Sequence, residues 1–254
     1  MLKKRTGRYR VGIQVKLHSS YGAIQAGPSS TAPSVFAFRP DAPRQVADGR
    51  ASYADLPRLW VSRAMALVLL IALGPLMLAL AWLVRRDGGP ATFSHYRVGC
   101  GGRLFKCIKF RTMRVDAEQV LGELLASNPA LRAEWQRTQK LAEDPRVTPF
   151  GRWLRRSSLD ELPQLLNVLR GEMALVGPRP ITLAELRRYG PARWQYLSVL
   201  PGITGLWQVS GRNTTTYEER VALDEHYVAT RSAWLDLRIL LRTVVVVITR
   251  HGAC

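Results

Sequence analysis

The stretch from Asp144 to Pro180, DPRVTPFGRWLRRSSLDELPQLLNVLRGEMALVGPRP, holds the densest set of residues able to do chemistry. Two adjacent carboxylates, Asp160 and Glu161, follow four arginines (Arg146, Arg152, Arg155 and Arg156), with no acid between Pro145 and Leu159. Planar guanidinium groups hold phosphate oxygens with paired hydrogen bonds. At helical spacing Arg152, Arg155 and Arg156 share one face. Two readings of the acids stay open. Ser158-Leu159-Asp160-Glu161 fits the S-x-x-E capping box, in which acids favour the positive end of a helix. Pro163 argues for another arrangement, because proline suits a first helical position. A helix starting there leaves both acids just ahead of its positive end, where a phosphate and a divalent ion could be held together.

Three further clusters carry cations or turn residues. In Val176-Gly177-Pro178-Arg179-Pro180 the prolines stiffen the backbone around Arg179 and Gly177 permits close approach of a ligand. A plain surface turn fits equally. PGITGLWQVSGR (201–212) combines turn residues, Trp207 and Arg212. It reads as a binding loop or as a loop that packs Trp207 into the core. In FKCIKFRTM, Lys106, Lys109 and Arg111 form a cationic strand or a solvated strand face. The four histidines are scattered and support no metal site, and no HExxH or GxxxxGK[ST] occurs. Cys100, Cys107 and Cys254 lack CxxC spacing, which excludes a zinc knuckle and fits a reducing compartment.

These clusters need elements to position them. The 254 residues suit one domain of moderate size with room for a tail. Apolar residues make up 47%, enough for a sizeable core. Residues 1–39 contain seven basic residues and no acid, and Gly, Pro, Ser and Ala fill much of 19–57. That predicts a disordered basic arm, although an acid-free start also resembles an organellar transit peptide. No apolar h-region follows it, so a secretory signal is excluded. From Ala64 to Val84 come 21 residues without a charge. As a helix they would reach roughly 31 Å, the width of a hydrocarbon core. Gly74-Pro75 falls in the middle, and Arg58, Arg63, Arg85 and Arg86 flank both ends. A spanning helix has one preferred cytoplasmic end, and here both ends qualify. A hairpin that dips into one leaflet and returns satisfies these features, with a proline-kinked span as the alternative.

Beyond Pro90 the pattern is mixed α/β. ATFSHYRV and RLFKCIKFRTM predict two strands joined by a Gly-rich turn at 99–102. Helical patterning follows at 116–126, 129–141, 159–170 (closed by Gly171), 183–196 and 217–227. MALVGPRP predicts a short strand and a turn. The segment 233–249 is strongly apolar but carries Asp236, Arg238 and Arg242, which predicts an interfacial or core helix. The fold class is therefore α/β and helix-rich. It divides into a basic arm (1–56), a re-entrant membrane helix (57–88) and a small catalytic domain (89–254) with a β-hairpin and amphipathic interfacial helices.

KFRTM (109–113), the 144–180 stretch and PGITGLWQVSGR (201–212), after an apolar segment and GGPATFSHYRVG, resemble the bacterial sugar transferase family. The likeness runs from about Pro57 to Cys254, and three long motifs in order make it specific. Members of its monotopic branch are phosphoglycosyl transferases that begin exopolysaccharide and glycoconjugate synthesis. The resemblance implies transfer of a sugar-1-phosphate from a UDP-sugar, galactose or glucose favoured, to undecaprenyl phosphate. It places the catalytic domain on the cytoplasmic side of the bacterial inner membrane. It makes Asp160 the nucleophile and Glu161 the residue serving magnesium, with Arg155 five residues before the aspartate. Arg179, in the PRP motif, is linked to nucleotide-sugar binding. Lys109, Arg111, Arg146 and Arg212 are the other expected substrate-binding residues, with Gly74 and Pro75 at the membrane turn. The implied chemistry is ping-pong: the carboxylate takes the sugar-phosphate, UMP leaves, and the lipid phosphate then accepts.

The net charge of +18 predicts polyanionic company, including anionic membrane lipid. A membrane-anchored nucleic-acid-binding or scaffold protein is the competing reading. The arginines are not laid out as a recognition helix or an aromatic stacking platform, so no nucleic acid is expected. Whether the chain forms a homo-oligomer is left open.

Overall fold

The computed structural model describes residues 56–138, 141–211 and 215–249. The expected basic arm, apart from Leu56, lies outside these residues, as does Arg212.

Helix α1 (Leu56–Arg85) contains the whole apolar run and continues through Pro75. Among the described residues it is the one helix long and apolar enough to cross a membrane. Its surface is mostly uncovered, with Ile71 and Leu78 72% and 73% exposed. Each end carries an arginine over a tryptophan ring: Arg63 on Trp60 and Arg86 on Trp82, both 5.4 Å from the centroid. Such pairs suit the boundary between water and lipid. Both ends also pack onto the rest of the chain. Toward the start, Ala66 is buried with Phe105, Leu165 and Val168, and Leu70 lies against them. Toward the end, Leu80 and Val84 are buried with Phe110 and Leu154. Between them Gly74 has no neighbour within 4 Å of where a Cβ would stand.

The expected hairpin is present. Strands β1 (Thr92–Val98) and β2 (Leu104–Phe110) pair antiparallel, with Val98 opposite Leu104 and Thr92 opposite Phe110. The connection is a 3-10 turn, Cys100–Gly102, in which Gly101 and Gly102 adopt φ of 65° and 77°. Only glycine takes that conformation at little cost, which explains the Gly-rich sequence there. Polar helices α2 (Ala117–Ser127) and α3 (Pro129–Thr138) follow, divided at Asn128.

Helix α4 (Pro149–Arg156) is capped by Thr148, whose hydroxyl accepts from the Gly151 amide at 2.9 Å, with proline at the first position. A 3-10 turn (Leu159–Glu161) leads into α5 (Gln164–Arg170), which ends on Gly171 in the left-handed region. Asn167 in α5 is fully buried and ties this helix to β2. Its Oδ1 accepts from the Ile108 amide at 3.0 Å, and its Nδ2 donates to the Lys106 carbonyl at 2.8 Å and to Glu172 at 2.6 Å. Asn167→Ala would strand these partners inside the protein. The expected cost is roughly 2–4 kcal/mol of stability, read as a lower midpoint in thermal unfolding in detergent.

A second, parallel pair joins β3 (Ala174–Val176) to β4 (Gly202–Thr204). Sequence patterning predicts the first of these strands but not the second. After β3 come α6 (Leu183–Arg188), a 3-10 turn at Gly190–Ala192 and α7 (Arg193–Leu197). One continuous helix over 183–196 is the expectation, but Gly190-Pro191 divides it. Proline there cannot continue the hydrogen-bond ladder. Helices α6 and α7 bury Leu186, Tyr189, Tyr196 and Leu197 around Val98 and Ile181. The Tyr196 hydroxyl donates to the Val98 carbonyl at 2.6 Å, which locks this cluster to the hairpin.

The chain closes with α8 (Leu206–Val209), α9 (Tyr217–Thr230) and α10 (Ala233–Thr249). Leu235, Ile239 and Leu240 of α10 pack on the core. Trp234, Leu237, Leu241, Val244 and Val245, at helical spacing, form an exposed apolar face. Asp236 pairs with Arg58 at 2.6 Å and so fastens α10 to the start of α1.

Candidate active site

The segment between α4 and α5 presents the two adjacent acids. Ser158 has φ 57°, ψ 14°, and among the described residues it alone is non-glycine with positive φ. Left-handed backbone at serine costs on the order of 1 kcal/mol or more. It turns the chain sharply, so that Leu159–Glu161 forms its own 3-10 turn before Pro163 caps α5. The capping-box reading of Ser158 does not hold, since that side chain makes no cap hydrogen bond. The arrangement in which both acids lie just ahead of a helix begun near Pro163 is the one observed.

Asp160 is buried, with 8% of its surface exposed. Burial pushes its carboxyl up to about 6; Lys109, Arg155 and Arg179 oppose the rise, while the neighbouring Glu161 adds to it. Lys109 donates to Glu161 Oε1 at 2.6 Å. Arg155 is anchored on the other side, its Nε donating to Thr112 Oγ1 at 2.9 Å. Thr112 closes the strand segment that carries Lys109, and Gly151 of α4 packs against its backbone too closely to admit a Cβ. The KFRTM segment and the arginine helix are thereby held face to face.

Beside Glu161 a small cleft opens. Lys109, Arg179 and Arg97 supply cations to its wall, and Gln164, Gln208 and Ile203 complete much of the rest. Arg179 reaches it because the 176–180 turn is pinned to β4. The Gly177 amide donates to the Thr204 carbonyl at 2.9 Å, and the Gly202 amide to the Pro178 carbonyl at 2.8 Å. A Cβ at Gly177 would meet the Leu200 carbonyl oxygen at 2.5 Å, so the close approach needs glycine. Trp207 is buried, and Arg179 and Arg220 lie over its ring at 5.8 and 4.7 Å. The 201–211 segment thus packs its tryptophan inward and also supports a cleft arginine.

The structure brings Asp160, Glu161, Lys109, Arg155 and Arg179 together. Arg111 and Arg146, expected to bind substrate, stand outside that group and are engaged with the chain itself. Arg111 is 8% exposed; it donates to the Val84 carbonyl at 2.9 Å, to the Pro90 carbonyl at 2.9 Å and to Asp87. Those partners lie at and just beyond the end of α1. Arg146 is 7% exposed and grips Asp144 with a two-pronged contact of 2.8 and 2.6 Å, beneath Trp135. Residue type alone does not tell a guanidinium that faces a ligand from one that satisfies the chain. Arg97, Gln164 and Gln208 were not singled out from sequence. The signal for Arg97 is a charge within GGPATFSHYRVG, on the strand paired with the one that carries Lys109.

Magnesium would meet few protein donors here. Among the described residues no group of three His, Cys, Asp or Glu side chains gathers. Asp160 and Glu161 are adjacent hard oxygen donors. Magnesium is commonly held by one or two carboxylates with waters and substrate phosphates completing its shell. The donor set fits an ion held in that way.

A buried carboxylate stands next to Glu161 of a cation-lined cleft, on a chain with a long uncovered apolar helix. Residues 55–250 match the bacterial sugar transferase family, and the chain belongs to it. It is 53% identical over 188 residues to the undecaprenyl-phosphate galactose phosphotransferase of Salmonella typhimurium, covering 74% of this chain and 40% of that protein. Identity to the exopolysaccharide production protein ExoY of Sinorhizobium fredii is 51% over 189 residues, covering 74% and 84%. The UDP-glucose:undecaprenyl-phosphate glucose-1-phosphate transferase of Xanthomonas campestris pv. campestris is 39% identical over 219 residues, covering 83% and 42%. The chain therefore spans about two-fifths of the length of the first and last of these relatives.

Proposed function

We propose that the chain is a phosphoglycosyl transferase that moves a hexose-1-phosphate from a UDP-sugar to undecaprenyl phosphate at the first membrane step of exopolysaccharide synthesis. The observation that carries this reading is the buried Asp160 set among Lys109, Arg155 and Arg179 beside a cleft. The names of the relatives favour UDP-galactose or UDP-glucose as donor. In the first half-reaction an Asp160 oxygen attacks the phosphorus that carries the sugar. The bond between the two phosphates breaks, and UMP leaves with the bridging oxygen. In the second, an oxygen of the lipid phosphate attacks the same phosphorus, the aspartyl bond breaks, and a lipid diphosphate sugar forms with Asp160 restored. Lys109, Arg155 and Arg179 neutralise the crowded phosphates during both displacements. Asp160 and Glu161 would hold magnesium together with substrate oxygens; when bound, the ion would supply further neutralisation of the diphosphate.

The nucleophile must be ionised, and its carboxyl titrates at about 6. The rate of UMP release should therefore rise with pH through about 6 and level off above it, measured in a single turnover at donor well below saturation, where the free site is read. A flat profile between pH 5 and 7 contradicts the role. The overall test incubates membranes with radiolabelled UDP-galactose or UDP-glucose and undecaprenyl phosphate. Label should pass into the organic phase with release of UMP. Release of UDP, or label that stays in water with every donor, overturns the proposal.

For the membrane segment we favour the re-entrant reading, with α1 entering and leaving on the cytoplasmic face of the inner membrane. Both of its ends pack on the same catalytic body, and the exposed middle around Gly74-Pro75 is what would enter the leaflet. The apolar face of α10 would rest on the same lipid surface, where basic residues add attraction to anionic lipid. Single cysteines at Ser52 and Ser94, in a background lacking Cys100, Cys107 and Cys254, give the check. An impermeant thiol reagent applied to intact cells should label neither position; labelling of either one shows a span.

A further inference from the structure

Arg97 stands in the hairpin strand β1, within GGPATFSHYRVG (88–99) and apart from the stretches that hold the acids and the PRP turn. Its guanidinium lies in the cleft wall with Lys109 and Arg179. Nη1 donates to Glu185 Oε2 at 3.2 Å, and the side chain keeps 22% of its surface exposed. A guanidinium carries five N–H donors. No other hydrogen bond from this side chain to the described residues is present, so most of its donors are left for something that enters the cleft.

Glu185 is itself tightly placed. Its Oε2 accepts from the Thr182 amide at 2.8 Å and from the Thr182 hydroxyl at 3.0 Å, completing a capping box at the start of α6. Its other oxygen faces Arg220 Nη1 at 3.9 Å, and its main-chain carbonyl accepts from the Tyr217 hydroxyl at 2.9 Å. Burial pushes the Glu185 carboxyl up, but the Thr182 backbone hydrogen bond and the Arg220 and Arg97 charges outweigh this and hold it below the usual range. It is therefore a carboxylate under ordinary conditions. Helix α6 follows directly on the turn that bears Arg179, so one carboxylate fixes both the end of that turn and the direction of Arg97.

Three cations meet in this wall, and burial of Arg97 near the charge of Arg179 disfavours its charged form. A structural ion pair alone would have no need to face its remaining donors toward a cleft that already holds two cations. An anion with several phosphate oxygens removes the mismatch.

We propose that Arg97 is a substrate-binding residue of this cleft, taking phosphate oxygens of the donor diphosphate or of the lipid phosphate, and that Glu185 is its positioning residue. This rests on the transfer reaction proposed above. Planar paired contact is what a guanidinium offers and an ammonium does not, so Arg97→Lys keeps the charge and loses the geometry.

The test uses the full-length protein in detergent or membranes, with two kinetic arms and one binding arm. UMP release in single turnover without lipid gives the concentration dependence on UDP-sugar; steady-state transfer gives KM for undecaprenyl phosphate. Donor binding to Asp160→Asn, with and without Arg97→Gln, gives a readout that needs no turnover. Arg97→Gln should raise the half-saturating concentration of one of the two phosphate substrates by ~10-fold or more, as loss of a charge-assisted contact does. The arm that moves identifies whose phosphate it holds. Arg97→Lys should recover only part of the loss. Glu185→Gln, which can keep the Thr182 cap but loses the charge, should raise the same KM by a smaller factor with kcat little changed. A purely structural bridge would lower the thermal midpoint in these variants and leave both KM values alone; that result overturns the proposal. Wild-type protein that neither binds nor turns over UDP-sugar instead removes the transferase reading, and this inference falls with it.

Discussion

Asp160→Asn should abolish transfer, with turnover falling by ~10³-fold or more, while the folded protein becomes no less stable. The first half follows from the chemistry: an amide oxygen does not form the aspartyl bond, and removal of a nucleophile commonly costs this much or more. The second half follows from the titration. The Asp160 carboxyl titrates at about 6 in the folded chain, above the ordinary carboxylate value of 3.8. A raised pKa means that the folded state holds the proton more tightly than the unfolded state. Ionised Asp160 therefore destabilises the fold, and the effect grows as pH rises from about 4 to about 6 and persists above. Asparagine has the same shape and no charge to bury. Unfolding without substrate at pH 7.5 should show a midpoint equal to or above wild type, and the difference should shrink near pH 4. Near-normal UMP release in this variant would remove Asp160 as the nucleophile. A sharp loss of stability at pH 7.5 would show that the buried carboxylate is held by favourable contacts.

The next largest effect is expected from metal removal. EDTA should reduce transfer to background, and excess magnesium should restore it. Cations line the cleft, and Glu161 is tied through Oε1 to Lys109. A diphosphate brought against the two adjacent carboxylates would still meet their repulsion. Asp160 and Glu161 would hold a hard divalent ion that supplies the further neutralisation. Glu161→Gln should raise the magnesium concentration needed for half-maximal activity by about 10-fold, the range found when a carboxylate ligand or its support is lost. Activity that survives EDTA unchanged excludes the ion. An unchanged magnesium requirement in Glu161→Gln assigns it to other donors.

The hairpin was legible because strand alternation and a Gly-rich turn are local signals. The acids beside the arginines were legible as well, and Pro163 correctly set the start of α5 behind them. The β3–β4 pair was not, since two three-residue strands far apart in sequence leave no periodic trace. Its role is to set the Arg179 turn on the 201–205 segment, a contact that only the packed glycines reveal. The arginines were the hardest to read. Arg111, Arg146 and Arg155 look alike as letters, yet the first holds backbone carbonyls, the second an aspartate and the third a threonine near the nucleophile. Arg97 sits in GGPATFSHYRVG with no chemical pattern around it, yet it lies in the cleft wall.

The contact of Arg111 with the end of α1 has a mechanical consequence. Strand β2 puts Lys109 into the cleft, and the side chain two residues later grips the Val84 carbonyl, Asp87 and the Pro90 carbonyl. Little slack is left between the last buried turn of the apolar helix and the strand that carries Lys109. If α1 enters the leaflet as proposed above, a vertical movement of that helix would be passed to the cleft as a rigid displacement. The height of Asp160 above the lipid surface would then be set by one guanidinium acting as a depth stop. Transfer to a phosphate held at the headgroup level would depend on such a fixed height.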